Sequence, residues 1–152
     1  MEILRRLSSF SPPIKDMLTV YISFIRSILE QSCVIWHSTL TLEDSEKLER
    51  VQKNAFRNIL KEKYENYENA LLYLKMDTLS ERRKNLLYSF GKKCLKLEQT
   101  KHLFPPKERN HQIQQRYTEK YEVLHANTDR LKNSTVPYIQ RLLNEEERKK
   151  ST

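Results

Sequence analysis

The chain has very little glycine, one residue in 152, whereas globular proteins average about 7%. Tight hairpin turns and phosphate-cradling loops need glycine, because positive φ angles are costly for residues that carry a Cβ atom. The scarcity therefore argues against a β-rich fold and against a nucleotide-binding P-loop. Leucine, lysine, glutamate, arginine and glutamine are abundant instead, and these residues favour helices.

Cysteine and aspartate are scarce as well. The two cysteines are far apart in sequence and form neither a disulfide framework nor a zinc-ligand spacing. The four aspartates include no pair of acids placed to hold magnesium, apart from Glu43-Asp44 in a helix-capping position. We therefore expect no metal, no cofactor and no small-molecule ligand.

A sustained apolar segment is missing from the first residues, MEILRRLSSFSPP, so they do not resemble a secretory signal. A longer apolar run over residues 14–36 is interrupted by Lys15, Asp16, Arg26 and Glu30, and charges within a membrane span are costly. These features predict an intracellular protein, nuclear or cytoplasmic, that is not secreted and does not span a membrane.

Apolar residues recur at helical spacing along most of residues 1–104, which predicts a compact bundle of about four or five helices. Thr41 and Thr78 each stand three residues before an acid and are expected to cap the helices that follow. Residues 105–152 begin with two prolines and are polar, so we expect a looser tail that ends in a short helix. The predicted fold class is therefore mostly α. The predicted helices include residues 14–36, 67–75, 79–99 and 136–147.

For two of these helices, the apolar positions predict which face is buried. On the helix over residues 14–36, the stripe consists of Met17, Leu18, Tyr21, Ile22, Ile25, Ile28 and Leu29, widened by Val20 and Phe24. On the helix over residues 79–99, the apolar arc consists of Leu79, Leu86, Leu87, Phe90, Cys94 and Leu97. Arg83 projects into this second arc, where we expect it to snorkel or to pair with a carboxylate.

The segment CVIWH places Cys33 and His37 four residues apart at the end of an apolar helix. A catalytic pair would also need an orienting acid and an oxyanion site, and a zinc site would need about four ligands. No second close pair of cysteine and histidine supplies them. Because free cysteine is among the most buried residue types, a structural role is favoured over catalysis or metal binding.

Positive charge dominates the chain, with a net charge of +8 and a pI of about 9.5. Such an excess indicates a polyanionic partner, a nucleic acid or a membrane surface. Seven basic residues and two acidic residues occur between Thr78 and Lys101. On the predicted helix, one flank carries Arg82, Lys92, Lys93 and Lys96. These four side chains are the predicted phosphate contacts, and a solvated helix face is the alternative.

Five blocks of the sequence resemble, in the same order, the C-terminal part of reverse transcriptases from non-LTR (LINE-like, jockey-type) retrotransposons. The blocks are YISFIRSILE (21–30), VIWH (34–37), LERVQKNAFR (48–57), LSERR (79–83) and HLFP (102–105). The tail, from Tyr121 to Asn144, also looks like the closing segment of that family. The resemblance implies a thumb-like region that grips a primer–template duplex through its phosphates without reading its sequence.

The same resemblance implies what this chain lacks. The family's polymerase centre uses a Y-x-D-D turn and an upstream aspartate to hold metal ions, and neither occurs in this sequence. We therefore expect no enzyme activity from this chain by itself. The expected partner is the backbone of an RNA–DNA or DNA duplex rather than a membrane. The alternatives are a helical protein-interaction module and a retroelement remnant without a function, and no oligomeric state is predicted.

Overall fold

The computed structural model describes residues 2–107 and 119–150. Most of these residues are helical, and extended backbone pairs among them only at an isolated antiparallel bridge between Pro106 and Tyr121. The prediction of a mostly α fold with a C-terminal helix is confirmed. The α-helices are α1 (Glu2–Ser9), α2 (Ile14–Val20), α3 (Ser27–Glu30), α4 (Cys33–Trp36), α5 (Leu42–Leu60), α6 (Tyr67–Leu74), α7 (Leu79–Lys96), α8 (Glu98–Lys101), α9 (Asp129–Lys132) and α10 (Thr135–Lys150).

Packing groups the chain into two compact units. Unit one comprises residues 1–33 and 40–83, and unit two comprises residues 34–39 and 84–152. The sequence suggested a division at residue 104, where the composition changes. Packing instead places residues 84–104 in the same unit as the C-terminal residues, of which 108–118 lie outside the described part of the chain. As a result, α7 begins in unit one and ends in unit two.

The core of unit one forms around α5, which begins where the sequence predicts. The Thr41 hydroxyl accepts the backbone N–H of Asp44 at 3.1 Å and so satisfies one of the free N–H groups of the first turn. Phe56 is fully buried, and its ring meets the Tyr21 ring edge to face at a centroid distance of 5.6 Å. The buried residues of this core are Leu4, Met17, Tyr21, Ala55, Phe56, Ile59, Leu60, Ala70 and Leu74.

A π-helical turn, Tyr21–Arg26, joins α2 to α3 and changes which residues face the core. Regular α spacing from Tyr21 would turn residues 24 and 28 inward. The wider turn adds one residue, so the side chains of Arg26 and Glu30 lie inward instead and are only 14% and 12% exposed. Phe24 and Ile28 are 61% and 70% exposed, and the predicted stripe is wrong at these two positions.

The predicted helix over residues 14–36 is also not continuous. Gln31 leaves the helical conformation with a ψ of 125°, and Ser32 has a φ of 51°. A residue with a Cβ atom rarely adopts a positive φ. This change in backbone conformation separates α3 from α4. Helical spacing alone would place Ser32 within the predicted apolar stripe, and no glycine or proline in the sequence marks the break.

In unit two, α7 and α10 approach closely at the only glycine of the chain. A Cβ atom on Gly91 would lie 2.5 Å from Cγ2 of Ile139, which is too close for any other residue without a shift of the neighbour. Leu87, Cys94, Leu142 and Leu143 are buried in the same unit. Phe90 and Leu97 are 41% and 54% exposed, so the predicted apolar arc is wrong at these two positions.

Two amides of α10 hold the extended segment that follows residue 119. Asn144 accepts the backbone N–H of Tyr121 at 2.9 Å and donates to its carbonyl oxygen at 2.9 Å. Gln140 accepts the N–H of Leu124 at 2.8 Å and donates to the carbonyl oxygen of Leu103 at 2.7 Å. Both amides are buried, so these bonds satisfy backbone groups that have no helical partner. The described part of the tail is therefore fixed against α10.

Candidate nucleic-acid interface

The candidate interface lies on α7, whose start is fixed by Thr78. The Thr78 hydroxyl accepts the backbone N–H of Glu81 at 3.1 Å, as the capping prediction requires. The helix ends at Lys96, three residues earlier than predicted, because Leu97 adopts an extended conformation with a ψ of 120°. The short helix α8 then continues the chain.

The basic residues at the start of α7 form intramolecular ion pairs or hydrogen bonds. Arg82 forms an ion pair with Glu30 of α3, and both residues belong to unit one. Arg83 is fully buried and donates to the Ser45 hydroxyl at 3.2 Å. It therefore does not snorkel to the surface. Lys84, in unit two, lies 3.6 Å from a carboxylate oxygen of Glu145.

The three lysines near the end of α7 are different. Lys92, Lys93 and Lys96 are exposed, and among residues 2–107 and 119–150 no carboxylate lies within 4.0 Å of their ammonium groups. At 3.6 residues per turn, Lys92 and Lys96 are about 40° apart around the helix and Lys93 is about 100° from Lys92. The three ammonium groups therefore project from one flank of unit two, with no counter-charge within 4.0 Å among the described residues.

Arg82 was predicted to belong with these lysines, and its surroundings separate it from them. Glu30, its partner, has a side chain only 12% exposed, while the side chain of Arg82 is 36% exposed. A second arginine, Arg26, approaches the same Glu30 oxygen at 3.7 Å. Arg82 is the closer of the two cations beside Glu30, so it is assigned to this ion pair. The candidate interface is therefore limited to Lys92, Lys93 and Lys96.

Replacing Arg82 with glutamine is expected to reduce the free energy of unfolding by about 1.5–3 kcal/mol, the usual range for a hydrogen bond to a charged group. Chemical denaturation measures the loss. Arg5→Gln is the matched control, because Arg5 pairs with Glu2 on the surface at 3.5 Å and with both side chains more than half exposed. Such a pair contributes about 0–1 kcal/mol. If Arg82→Gln leaves stability unchanged and weakens nucleic-acid binding instead, Arg82 is a phosphate contact after all.

Sequence reasoning missed two further residues beside the lysines. The Lys92 ammonium lies 4.4 Å from the centroid of the Tyr88 ring, and the Lys150 ammonium lies 3.5 Å from the Tyr88 hydroxyl oxygen. Tyr88 stands one helical turn before Lys92, so its position was readable from the sequence. Lys150 is 62 residues away, and no local pattern places it there.

Cys33 and His37 lie in different units, and each has contacts within its own. Cys33 is 2% exposed, and burial, with Glu30 as the next cause, raises the pKa of its thiol. The His37 ring meets the Tyr138 ring edge to face at 5.6 Å, and Nε2 lies 3.4 Å from the Tyr138 hydroxyl. These surroundings favour the structural role, since a reactive thiol needs a lowered pKa and exposure.

A buried polar cluster in unit one was not predicted. Gln52, fully buried, accepts the Tyr21 hydroxyl at 2.6 Å and donates to the Tyr67 hydroxyl at 2.8 Å. Its amide also donates to the carbonyl oxygen of Asp77 at 2.9 Å, and Tyr67 donates to Glu49. Glu49 further accepts the backbone N–H of Leu79 at 3.2 Å. These bonds join α5 to the start of α7, so the cluster has a structural explanation.

The cluster changes the acidity of its two phenols. Burial raises the pKa of Tyr21 well above its ordinary value. Burial, and then the hydrogen bond to Glu49, raises the pKa of Tyr67 in the same direction. Both hydroxyls are therefore kept protonated far into the alkaline range as long as unit one is folded.

No family model, curated protein or solved structure matches this chain. In the part of the chain that the structure describes, no three histidine, cysteine, aspartate or glutamate side chains are grouped to hold a metal ion. No single helix in that part is long and apolar enough to cross a membrane, although Ile14–Glu30 and Cys33–Thr39 meet the length and composition test as a bent pair.

Proposed function

We propose that this chain is the thumb-like C-terminal region of a non-LTR reverse transcriptase, and that it binds the phosphate backbone of an RNA–DNA or DNA duplex. The observation that carries the proposal is the set of three exposed lysines on α7 without a carboxylate partner among the described residues. The order of the five sequence blocks supports the family. The chain itself is not proposed to polymerise DNA, because its sequence contains no Y-x-D-D turn.

The physical argument for phosphate binding rests on counter-ions. A lysine that is already paired with a carboxylate gains little from a phosphate, because it must first give up its partner. A lysine without such a partner neutralises a phosphate directly, and the duplex releases its condensed counter-ions. Lys92, Lys93 and Lys96 are of the second kind, whereas Lys84 and Lys101 each lie within 3.6 Å of a glutamate oxygen.

Replacing Lys92, Lys93 and Lys96 together with glutamine is expected to weaken binding to every duplex sequence alike. The slope of log affinity against log salt should become less steep by up to about 2.7, which is about 0.9 for each lost phosphate contact. Fluorescence anisotropy with a labelled RNA–DNA duplex, repeated over a series of salt concentrations, measures both quantities. Circular dichroism checks that the variant is folded.

The matched control is Lys15→Gln, Lys53→Gln and Lys63→Gln in unit one. These lysines also have no carboxylate within 4.0 Å among the described residues, and the Lys53 ammonium lies 5.0 Å from the Tyr67 ring centroid, as Lys92 does near Tyr88. The control removes the same charge and a similar cation–ring contact. If both triple variants lose affinity and slope equally, positive charge acts as a diffuse field and the α7 surface is not a site.

A protein-interaction module is the second candidate, and one observation favours it. Phe90 and Leu97 of unit two are large apolar side chains that remain 41% and 54% exposed, and they flank Lys92, Lys93 and Lys96 in the sequence. A partner protein would bury such side chains, and its affinity would depend little on salt. Binding that is lost in Phe90→Ser and Leu97→Ser but is unchanged across the salt series would favour this candidate over nucleic acid.

A further inference from the structure

Tyr88 lies between two lysines that come from different helices of unit two. Lys92, on α7, places its ammonium 4.4 Å from the ring centroid, and Lys150, in the last turn of α10, places its ammonium 3.5 Å from the hydroxyl oxygen. The packing of α10 against α7 at Gly91 fixes the two helices together. The arrangement is therefore a product of the fold and not of one helix alone.

The hydrogen-bonding roles at this point are decided by chemistry. An ammonium group can only donate, so Lys150 donates to the Tyr88 oxygen, and the phenolic proton is left to donate elsewhere. Two ammonium groups and one O–H then present donors around a single ring. A phosphate diester offers acceptor oxygens and a negative charge, which is what such a set of donors binds.

We propose that Tyr88, Lys92 and Lys150 form a binding site for one phosphate of a nucleic-acid backbone, and that Glu147 competes with this phosphate for Lys150. This inference rests on the proposed function and adds α10 to the interface. The Glu147 carboxylate lies 2.8 Å from the Lys150 ammonium and 3.2 Å from that of Lys120. It holds Lys150 beside the site while neutralising it.

The competition explains why Lys150 differs from the α7 lysines. Contacts with Lys150 and then Lys120 lower the pKa of Glu147, so its carboxylate is charged throughout the neutral range. A phosphate that binds Lys150 must displace a carboxylate, and this exchange releases fewer counter-ions than a contact with a lysine that has no acidic partner. Glu147 therefore limits the affinity of the site.

The test is a double-mutant cycle between Glu147→Gln and Lys150→Gln, read by anisotropy with the labelled RNA–DNA duplex. Glu147→Gln is expected to tighten binding about threefold to tenfold at low salt and to steepen the salt slope by about 0.9, one contact's worth. In the Lys150→Gln background the same change is expected to give no gain. Tyr88→Phe is expected to weaken binding about twofold to tenfold with no change of slope, since it removes one uncharged donor.

Glu122→Gln is the matched control, because Glu122 is an exposed acid of unit two with no ammonium or guanidinium within 4.0 Å among the described residues. A gain in Glu147→Gln that is no larger than in Glu122→Gln overturns the inference. So does a gain that survives in the Lys150→Gln background, because it would come from Lys120 or from diffuse charge. Equal dependence on Lys150 for binding to phosphatidylserine vesicles would overturn the assignment to nucleic acid.

The experiments distinguish a failure of the proposed function from a failure of the phosphate site at Tyr88. If Lys92, Lys93 and Lys96 contribute to the salt slope while the cycle between Glu147 and Lys150 shows no coupling, the proposed function stands and the phosphate site at Tyr88 does not. If the α7 lysines behave like their unit-one control, the proposed function itself fails.

Discussion

Replacing Arg83 with methionine is expected to destabilise unit one by about 3–5 kcal/mol, the range for a change that leaves a buried charge without compensation. The Arg83 side chain is fully buried, and burial is the largest cause that lowers its pKa. Glu49 is the strongest of the charges that oppose this effect, so it is the main counter-charge of the guanidinium. Without Arg83, the half-buried Glu49, whose Oε2 atom is buried, would lose this counter-charge.

Denaturant unfolding followed by circular dichroism measures this effect, and Glu49→Gln provides its control. The double variant Arg83→Met with Glu49→Gln is expected to lose less stability than the two single changes predict together, because no uncompensated charge remains. The hydrogen bond from Tyr67 to the residue at position 49 survives in glutamine, which keeps an acceptor oxygen. Strictly additive losses would show that the two side chains act independently.

Unit one is also expected to lose stability steeply as the pH rises above about 10, the ordinary pKa of tyrosine. The folded-state pKa values of Tyr21 and Tyr67 are both raised. Below pH about 10, the folded and unfolded states hold both protons, and the stability that these groups contribute is fully present. Above it, the unfolded chain releases both protons while the folded chain keeps them, so the unfolded state gains.

The size of this effect follows from the number of protons. Two protons correspond to a fall of up to about 2.7 kcal/mol per pH unit, compared with about 1.4 for one. Tyr67→Phe should therefore reduce the slope by about half, although it also lowers stability at neutral pH. Tyr73→Phe is the control, because Tyr73 is 58% exposed. Tyrosinate absorbance that appears for Tyr21 and Tyr67 without loss of helical circular dichroism would contradict the expectation.

The starts of α5 and α7 were predictable from the sequence because helix capping is local. Thr41 and Thr78 each bond a backbone N–H three residues on, so these two capping bonds need no distant partner. The exposure of Phe24, Ile28 and Phe90 was not predictable in the same way. Their spacing fits a buried helical face, but the π-helical turn and the neighbouring helices decide which side of each helix is covered.

The candidate interface shows the same division between local and distant information. Lys92, Lys93 and Lys96 could be placed on one flank because helical spacing alone sets their directions. Whether a basic residue already forms an ion pair depends on acidic residues elsewhere in the chain. Glu30 is 52 residues from Arg82, so the ion pair that separates Arg82 from the lysines needed the fold.

The π-helical turn at Tyr21–Arg26 bears on how this chain can be compared with others. The turn contains one residue more than an α-helix needs between the same inward positions. A chain that lacks one residue within this stretch would keep Met17 and Glu30 facing inward and would simply become α-helical there. Removal of a residue from the middle of α5 would instead rotate half of that helix by about 100°. An alignment that allows no gap between residues 21 and 26 would therefore match positions that differ by about 100° around the helix.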